Sequence, residues 1–341
     1  MIYNNILIVK LSAIGDVIHA LPVAPALKKC FPQAKLTWIV EQPAYDLLTN
    51  NPYIDEIIIF EKARFRSFAG FLQHAPGLIS TLRQHRFDLV LDLQGLFKSA
   101  AISFLSGAPQ RLVYCNAREF SDKIGRMICG TNSNGHIVEQ YLDVARELGC
   151  TIDAPEFTIN IGEKEAALTI AISKQAGLDL TKPFVVLIPG TNWPNKCWPT
   201  DKFAQLSDTL FASGLIPVFV GGNADKTAVN EIICKTDILP INLIGKTSLK
   251  QLAFIMKHAQ AVVAGDTGPM HLAAALNTPV IALFGPTDPR RNGPYGAGHT
   301  ILTTTRSCQG CWRRKCPDGK DCLADINAGE VFDAVISSIR L

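Results

Sequence analysis

The chain has 341 residues, more than one comfortable hydrophobic core holds, so two domains are expected. Hydrophobic residues make up 48% of the chain and charged residues 18%, which is typical of a folded α/β protein and excludes intrinsic disorder. A formal net charge of +3 is too small to indicate a nucleic-acid-binding protein, and it is compatible with an anionic small molecule or an acidic membrane face.

The N-terminus carries no pattern of a targeting segment. Its apolar run has no basic leader, and Lys10 interrupts the run before any small-residue cleavage site. No stretch of the chain approaches the ~18 uninterrupted apolar residues of a membrane-spanning helix. We therefore predict a cytoplasmic protein that lacks a transmembrane segment.

The N-terminal half alternates short apolar runs with helix-like stretches. The runs are Ile6–Leu11, Lys35–Val40, Glu56–Phe60 and Asp88–Leu93. Continuous apolar runs are typical of strands buried on both faces of a parallel sheet with crossover helices. The first run leads through a Ser/Gly turn into a stretch, ending at Cys30, that predicts a helix beginning at Asp16.

The same rhythm restarts after a loop near residues 152–161. The second set of runs is Phe184–Pro189, Ile216–Gly221, Ala261–Asp266 and Pro279–Gly285. Two such halves predict two doubly wound α/β domains, 1–160 and 161–325, followed by a closing amphipathic helix over 326–341. Ligands in these folds bind at the carboxyl ends of the strands, where the chain turns into helices.

Two common nucleotide motifs are not matched. The turn after the first run reads KLSAIGDV, with one glycine where a dinucleotide-binding turn needs three. The sequence GKTS at Gly245–Ser248 resembles the end of a phosphate loop, but Pro240 stands where that loop requires its first glycine. These departures argue against a dehydrogenase and against a P-loop NTPase.

The segment Asp266–His271 places an acid, a hydroxyl and a glycine between a buried run and an alanine-rich helix. Free backbone amides and the helix dipole favour an anion at a helix start, and Gly268 allows its close approach. The loop Pro189–Pro199 adds Lys196 at the same sheet edge, which complements the negative charge of a diphosphate. The two loops together predict a nucleotide ligand, with a simple cap of the helix by the acid or the hydroxyl as the alternative.

Two long blocks resemble a known family. Lys10–Pro22 (KLSAIGDVIHALP) and Gly265–Pro289 (GDTGPMHLAAALNTPVIALFGPTDP) resemble the bacterial ADP-heptose:lipopolysaccharide heptosyltransferases, glycosyltransferase family 9, and the similarity covers nearly the whole chain. The blocks Asp92–Ala100 (DLQGLFKSA), Asn116–Glu119 (NARE) and His136–Gln140 (HIVEQ) are most similar to heptosyltransferase I.

The resemblance implies the GT-B fold, in which two Rossmann-like domains have the active site in the cleft between them. The C-terminal domain would bind ADP-L-glycero-β-D-manno-heptose, and the N-terminal domain would bind the acceptor. Heptose would pass, with inversion and without a divalent metal or other cofactor, to the Kdo of Kdo2-lipid A, the lipopolysaccharide inner core. This acceptor lies at the inner face of the inner membrane, so a peripheral association with that membrane is expected, and no nucleic-acid partner is implied.

Asp16 falls where the family places its catalytic base. A sugar hydroxyl is a poor nucleophile, so a carboxylate must take its proton as the new C–O bond forms. A helix cap is the alternative role for Asp16.

The donor-binding residues that the resemblance implies lie in the second half. They are Thr191, Asn192, Lys196, Lys246, Asp266, Thr267, Gly268 and His271. Lys196, Thr191 and the helix start at Thr267 and Gly268 would bind the phosphates, with His271 supporting or contacting the diphosphate. Asp266 would lie near the heptose hydroxyls, and Lys246 would line the adenosine pocket.

The acceptor carries carboxylates and phosphates, which basic side chains of the first half would bind. Lys98 and Arg118 lie within the matching blocks. Arg64 and Arg66 lie outside them, and the alternative for these two is that they are ordinary solvated surface charges. The two arginines lie in Ala63–Gln73, where arginines and phenylalanines mix. That segment suits either a loop resting on lipid headgroups or an amphipathic helix packed on its own domain.

Ten cysteines are many for a cytosolic chain of this length. Six scattered ones are expected to be small core hydrophobes, namely Cys30, Cys115, Cys129, Cys150, Cys197 and Cys234. The cysteine loop, residues 308–322, has the spacing C-x2-C-x4-C-x5-C and carries Cys308, Cys311, Cys316 and Cys322. This cluster suits a structural zinc or iron ion in a reducing compartment, with free thiols or two disulfides as the alternatives.

Other functions remain open on the sequence. A heptosyltransferase could instead act on a later core heptose or on a protein, because acceptor choice rests on loops. A non-catalytic nucleotide-sugar binding module is a different class of function, against which the presence of Asp16 and Lys196 argues.

Overall fold

The computed structural model describes residues 2–339, and the chain forms two compact units that divide after Asn160. Each unit is built on one six-stranded sheet whose neighbouring strands pair in parallel. Crossovers between parallel strands are right-handed, so a strand order that runs in both directions from a central strand places helices on both faces of the sheet. Both units therefore have the doubly wound α/β architecture.

The strands of the first unit are β1 (Asn5–Val9), β2 (Lys35–Val40), β3 (Glu56–Ile59), β4 (Leu89–Asp92), β5 (Gln110–Tyr114) and β6 (Arg126–Ile128). Its helices are α1 (Ile14–Ala20), α2 (Val23–Cys30), α3 (Gln42–Leu48), α4 (Phe68–Gln84), α5 (Phe97–Leu105) and α6 (Ile137–Arg146). The strand order is β3-β2-β1-β4-β5-β6. The central strands β1 and β4 are buried along nearly their whole length, which explains why they read as continuous apolar runs.

The strands of the second unit are β7 (Phe184–Ile188), β8 (Ile216–Phe219), β9 (Ile241–Asn242), β10 (Ala261–Gly265), β11 (Val280–Phe284) and β12 (Thr300–Thr303). Its helices are α7 (Glu163–Gln175), α8 (Thr200–Ala212), α9 (Lys226–Ile233), α10 (Leu249–His258), α11 (Gly268–Ala275), α12 (Pro289–Asn292) and α13 (Ala328–Ile339). The strand order is β12-β11-β10-β7-β8-β9.

The helix predicted to begin at Asp16 is two helices, and the first of them begins earlier, at Ile14. The Asp16 carboxylate accepts a hydrogen bond from the backbone N–H of Ala13, which places Asp16 inside the first turn rather than before it. Pro22 separates α1 from α2 because it has no N–H to donate to the preceding turn.

The closing helix predicted over 326–341 corresponds to α13, and residues 340 and 341 lie outside the described range. Val331 and Val335 are fully buried and belong to the same apolar core as Val263 of β10. This apolar stripe attaches α13 to the second unit.

Each sheet has one pair of neighbouring strands at which the winding of the chain reverses, β1 with β4 and β7 with β10. The connections leave such a pair in opposite directions, so a crevice opens at the carboxyl ends of the two strands. In the first unit that end leads into the turn Lys10–Asp16. In the second unit it leads into the β7 loop, Pro189–Pro199, and into Asp266, which follows β10.

Candidate functional site

A largely buried cluster of ionisable side chains lies at the carboxyl ends of β7 and β10. Lys196 Nζ is 2.6 Å from Asp266 Oδ2, and His271 Nε2 is 3.3 Å from Asp266 Oδ1. Burial by itself raises the pKa of Asp266, but the neighbouring His271 and Lys196 outweigh it and hold that pKa below its ordinary value. The carboxylate is therefore ionised at neutral pH and fixed from both sides.

Close backbone approach allows the two loops to meet. Gly265 ends β10, and a Cβ at this position would come within 2.5 Å of the carbonyl oxygen of Lys196. Within the β7 loop, Thr191 Oγ1 donates to the Trp193 carbonyl at 2.7 Å, and Lys196 Nζ lies 4.3 Å from the centre of the Trp193 ring. Trp193, which sequence reasoning left out, thus supports the lysine by a cation–π contact.

The start of α11 lies directly after Asp266 and Thr267. The Thr267 side chain accepts no capping hydrogen bond from the described residues, and the Asp266 carboxylate is engaged by Lys196 and His271 instead. Neither side chain acts as the simple cap that the sequence left open. In the first turn, Pro269 has no N–H, and the N–H groups of Met270 and His271 donate to the Thr267 carbonyl at 3.1 and 3.3 Å. The Gly268 N–H and the positive end of the helix dipole are therefore what α11 offers to an anion.

Two predicted donor residues lie apart from this cluster. Asn192 is an exposed residue of the β7 loop, and Lys246 lies beyond β9 with its Nζ donating to the Asn242 carbonyl at 2.8 Å. Because β8 separates β9 from β7 in the sheet, Lys246 is not part of the Lys196 cluster.

Asp225 is a carboxylate that sequence reasoning missed. It accepts a hydrogen bond from the Gly222 N–H at 2.8 Å, and it lies against the bare Cα atoms of Gly190 and Gly221, where a Cβ would collide with it. These glycines follow β7 and β8, so the carboxylate lies between the ends of two strands. The signal available in the sequence was a strand followed by two glycines and an acid, VFVGGNAD.

In the first unit, Asp16 is half-buried in the first turn of α1. Its Oδ2 accepts the Ala13 N–H at 3.1 Å, so the cap predicted as an alternative is present. Among residues 2–339 no second hydrogen bond to this carboxylate is seen. The cap therefore orients Asp16 and leaves its other oxygen to accept a proton.

Lys10 is a buried cation beside this turn that sequence reasoning used only as an interruption of an apolar run. It is 2% exposed, and its Nζ donates to the Leu93 carbonyl at 2.9 Å and to the Tyr141 hydroxyl at 2.7 Å. Burial by itself lowers the pKa of Lys10, but Tyr141 and Asp16 outweigh that effect and raise it. The turn that carries Asp16 thus has a fixed positive charge beneath it.

The structure brings Lys98 to the same turn and leaves Arg118 further away along the sheet edge. Lys98 Nζ is 2.6 Å from Glu41 Oε1 and 3.5 Å from Oγ of Ser12, which belongs to the turn before α1. Arg118 is exposed and follows β5, two strands away from β1.

Arg64 and Arg66 are both exposed and follow β3 at the edge of the first sheet. Arg64 pairs with Glu61 at 2.7 Å. Between the two arginines, Phe65 stacks on Phe60 at 5.0 Å and packs against the core of the unit.

The first half of α4 presents apolar side chains to solvent. Phe68 is 78% exposed, Leu72 58% and Phe71 46%, whereas Ala75 and Leu82 on the same helix are buried. The segment Ala63–Gln73 therefore packs on its own domain through Phe65 and exposes apolar side chains at the start of α4, and its contact with lipid headgroups stays a prediction. No helix among residues 2–339 is long and apolar enough to span a membrane.

The metal site predicted for the cysteine loop finds no support. Among residues 2–339, no three His, Cys, Asp or Glu side chains are placed to hold a metal ion. The four cysteines lie at different depths, since Cys322 is buried against Gly285 and Cys308 is exposed. Burial, followed by the nearby thiols, raises the pKa of Cys322. All four cysteines are free thiols, which was one of the alternatives.

The prediction that the other six cysteines are core hydrophobes is wrong for two of them. Cys150 is buried, but Cys129 and Cys234 are exposed. Cys129 follows β6, and its thiol forms a hydrogen bond with that of Cys115, which follows the neighbouring β5. An apolar neighbourhood in sequence does not distinguish the interior of a strand from its end, where the chain reaches solvent.

The model of glycosyltransferase family 9 (heptosyltransferase) matches residues 77–321. The chain is 30% identical over 279 residues to lipopolysaccharide heptosyltransferase 3 of Escherichia coli K12, covering 80% of each chain. It is 27% identical over 329 residues to lipopolysaccharide heptosyltransferase 1 of Pseudomonas aeruginosa PAO1, covering 92% of this chain and 87% of that protein.

Solved structures share the fold. A glycosyl transferase family 9 protein from Veillonella parvula superposes with a TM-score of 0.86 at 23% identity, covering 99% of this chain and 98% of that one. The Escherichia coli heptosyltransferase WaaC with ADP-2-deoxy-2-fluoro heptose superposes with a TM-score of 0.74 at 23% identity, covering 98% and 99%.

Proposed function

The chain belongs to glycosyltransferase family 9, the heptosyltransferases, and we propose that it transfers L-glycero-D-manno-heptose from ADP-heptose to the Kdo of Kdo2-lipid A, with Asp16 as the general base. Family membership makes it a transferase of lipopolysaccharide biosynthesis, and the predicted α/β fold of the GT-B type is confirmed. The first unit would bind the acceptor and the second the donor.

The single observation that carries the donor assignment is the Lys196–Asp266–His271 cluster at the start of α11. Lys196, the Gly268 N–H and the positive end of the α11 dipole lie together at the ends of two central strands, a setting suited to an anionic diphosphate, although Asp266 offsets part of the lysine charge. An ADP-heptose analogue is bound in the related WaaC, which supports the same donor here.

The donor contacts follow from this placement. We assign Lys196, Thr191, Thr267, Gly268 and His271 to the diphosphate, and Asp266 to the heptose hydroxyls. Asn192 would lie at the mouth of the site. Lys246 and the newly found Asp225 would contact the adenosine, where a carboxylate is suited to accept hydrogen bonds from ribose hydroxyls.

The proposed reaction is a single displacement. The acceptor hydroxyl attacks the anomeric carbon, its proton passes to the free oxygen of Asp16, and the bond from that carbon to the ADP oxygen breaks with inversion. Charge that develops on the departing diphosphate meets Lys196 and the N-terminal end of α11 with its Gly268 N–H. These groups are in place before the reaction, so the proposed mechanism assigns no step to a metal or organic cofactor.

The acceptor assignment rests on the basic edge of the first unit. Lys98 lies at the turn of Asp16, and Arg118, Arg64 and Arg66 lie further along the carboxyl edge of the sheet. The exposed apolar half of α4 begins beside the two arginines, a combination suited to an acidic lipid surface. We accordingly propose a cytoplasmic enzyme that associates peripherally with the inner membrane, where the lipid acceptor lies.

A later core heptose is the second candidate acceptor. The chain is 30% identical to heptosyltransferase 3 of E. coli and 27% identical to heptosyltransferase 1 of P. aeruginosa. These identities are too similar to select between the two acceptors. The block Asp92–Ala100 is what favours Kdo.

The test compares wild type with Asp16→Asn in heptose transfer from ADP-heptose to Kdo2-lipid A. Asparagine retains an oxygen that can accept the Ala13 N–H, so the cap of α1 is preserved while the base is lost. Turnover should fall by ~10²–10⁴-fold with donor affinity unchanged.

Each other outcome has a defined meaning. An Asp16→Asn variant nearly as active as wild type would leave Asp16 as a helix cap alone. A wild type that is inert on Kdo2-lipid A but active on a core already carrying heptose would move the assignment to the later acceptor. Binding of ADP-heptose without transfer to either acceptor would indicate the non-catalytic module.

A further inference from the structure

The cysteine loop lies against the β7 loop. Asn195 Nδ2 of the β7 loop donates to the carbonyl of Arg313, in the middle of the cysteine loop. The cysteine loop is also attached to the end of β11, because the N–H groups of Gly310 and Trp312 donate to the Gly285 and Pro286 carbonyls at 2.9 and 2.7 Å. Since β10 lies between β11 and β7, this loop spans the carboxyl end of β10, where Asp266 and α11 begin.

The cysteine loop places Arg314 near the carboxyl ends of β7 and β10. Its guanidinium carbon lies 5.3 Å from the centre of the Trp193 ring, the same ring that Lys196 Nζ approaches at 4.3 Å. Two cations are therefore held at one aromatic side chain. Lys196 is paired with Asp266, whereas Arg314 is exposed and forms no ion pair with any carboxylate among residues 2–339.

The proposed donor site has too little positive charge to balance a diphosphate without a second cation. Asp266 is buried and ionised, so it offsets the charge of Lys196 before any ligand arrives. The start of a helix contributes roughly half a positive charge, which is too little to balance the negative charge of a diphosphate. A guanidinium offers two parallel N–H donors that match phosphate oxygens.

We propose that Arg314 binds the diphosphate of the nucleotide-sugar donor and that the cysteine loop serves to carry this arginine to the donor site. The inference rests on the proposed donor and adds to it a ligand from a loop that the mechanism otherwise does not use.

The test is calorimetric titration of the full chain with ADP and, separately, with adenosine. Arg314→Gln removes the charge, and Arg313→Gln is the matched control because Arg313 is exposed and its hydrogen bond to the β7 loop is made by its backbone carbonyl, which the substitution retains. We expect Arg314→Gln to weaken ADP binding by about 10- to 100-fold, to leave adenosine binding unchanged, and to reduce the salt dependence of ADP binding. Arg313→Gln should bind both ligands as wild type does.

Three results would overturn the inference, and they are distinguishable. Wild-type affinity of Arg314→Gln for ADP would refute it while leaving the proposed function intact. An equal loss of ADP and adenosine binding would show that Arg314 only supports the fold of the β7 loop. A wild type that binds no ADP would refute the proposed function together with this inference.

Discussion

Asp266 is held between two partners, Lys196 and His271, at the proposed donor site. Its carboxylate is 7% exposed, and removing either partner would leave a buried charge only half compensated. Such a pair is weak evidence for stability on its own. Its position at the start of α11 makes a role in orienting Lys196 toward a ligand the better account.

Asp266 should make stability depend on pH in a defined window. A carboxyl whose pKa is lower in the folded chain than in the unfolded one stabilises the fold above the unfolded value, about 3.9, and this contribution is lost as pH falls through the folded value. At pH 7, Asp266→Asn should cost roughly 3 kcal/mol because Lys196 loses its partner.

Thermal unfolding measured from pH 7 to pH 3 checks this expectation. The gap in midpoint temperature between wild type and Asp266→Asn should shrink as the pH falls below about 4, where the Asp266 carboxylate begins to be protonated in the unfolded chain. Asp318→Asn, a change at an exposed carboxylate of the cysteine loop, is the control and should track wild type throughout. A gap that stays constant down to pH 3 would contradict the argument.

At the scale of elements, the polar residues of the candidate site lie at the ends of strands rather than in their interiors. β7 and β10 are buried along their whole length and position the β7 loop and α11 side by side. Gly265 is the point of closest approach between them, because a side chain there would meet the carbonyl of Lys196.

Gly265→Ala should therefore damage ADP binding although it replaces no side chain that is proposed to bind the ligand. The added Cβ would displace the β7 loop, and a shift of this kind near a fixed charge should cost about 10-fold or more in ADP affinity. Gly329→Ala is the control, since nothing lies within 4 Å of its added Cβ and it belongs to α13. Calorimetric titration with ADP measures both variants, and unchanged affinity in Gly265→Ala would refute the prediction.

The exposed half of α4 should determine membrane affinity. Replacing Phe68, Phe71 and Leu72 by serine removes the apolar contact with the acyl region, and binding to vesicles of anionic phospholipid should fall by about 10-fold or more. Phe211→Ser, at an equally exposed phenylalanine of α8, is the control and should bind vesicles as wild type does. Co-sedimentation with vesicles measures the effect, and an undiminished triple variant would remove α4 from the proposed membrane surface.

At the scale of the whole molecule, each unit has its own sheet and its own apolar core. A ligand that binds one unit should therefore raise the stability of that unit, by ~2.7 kcal/mol at a ligand concentration of 100 times Kd. We expect scanning calorimetry to show two transitions, of which ADP raises one.

The variants identify the unit that responds. Lys196→Met should abolish the shift produced by ADP, whereas Asp16→Asn should retain it, because these residues belong to different units. A shift of both transitions by the same amount would show that the units unfold as one and would contradict the expectation.

Much of the fold was predictable because buried parallel strands leave a direct mark on the sequence. Runs such as Phe184–Pro189 and Ala261–Asp266 have to be apolar on both faces, so their boundaries are visible without coordinates. The sequence also placed Asp266, which ends one of these runs, and Lys196, which lies in the loop after the other, at one edge of the sheet. Lys10 and Asp225 were not predictable, because a buried lysine and a carboxylate against glycines gain their meaning from partners distant in sequence.

By itself the sequence determined the doubly wound architecture, the family, and the strand ends at which polar residues gather, since all of these are written in local patterns of apolarity and in contiguous motifs. Only the tertiary structure decided how the charges are paired. It joined Lys196 to Asp266, 70 residues apart, and brought the cysteine loop to Trp193 without arranging its thiols for a metal. The physical reason is that ion pairs and ligand geometry depend on distances set by crossover connections, which no local pattern encodes.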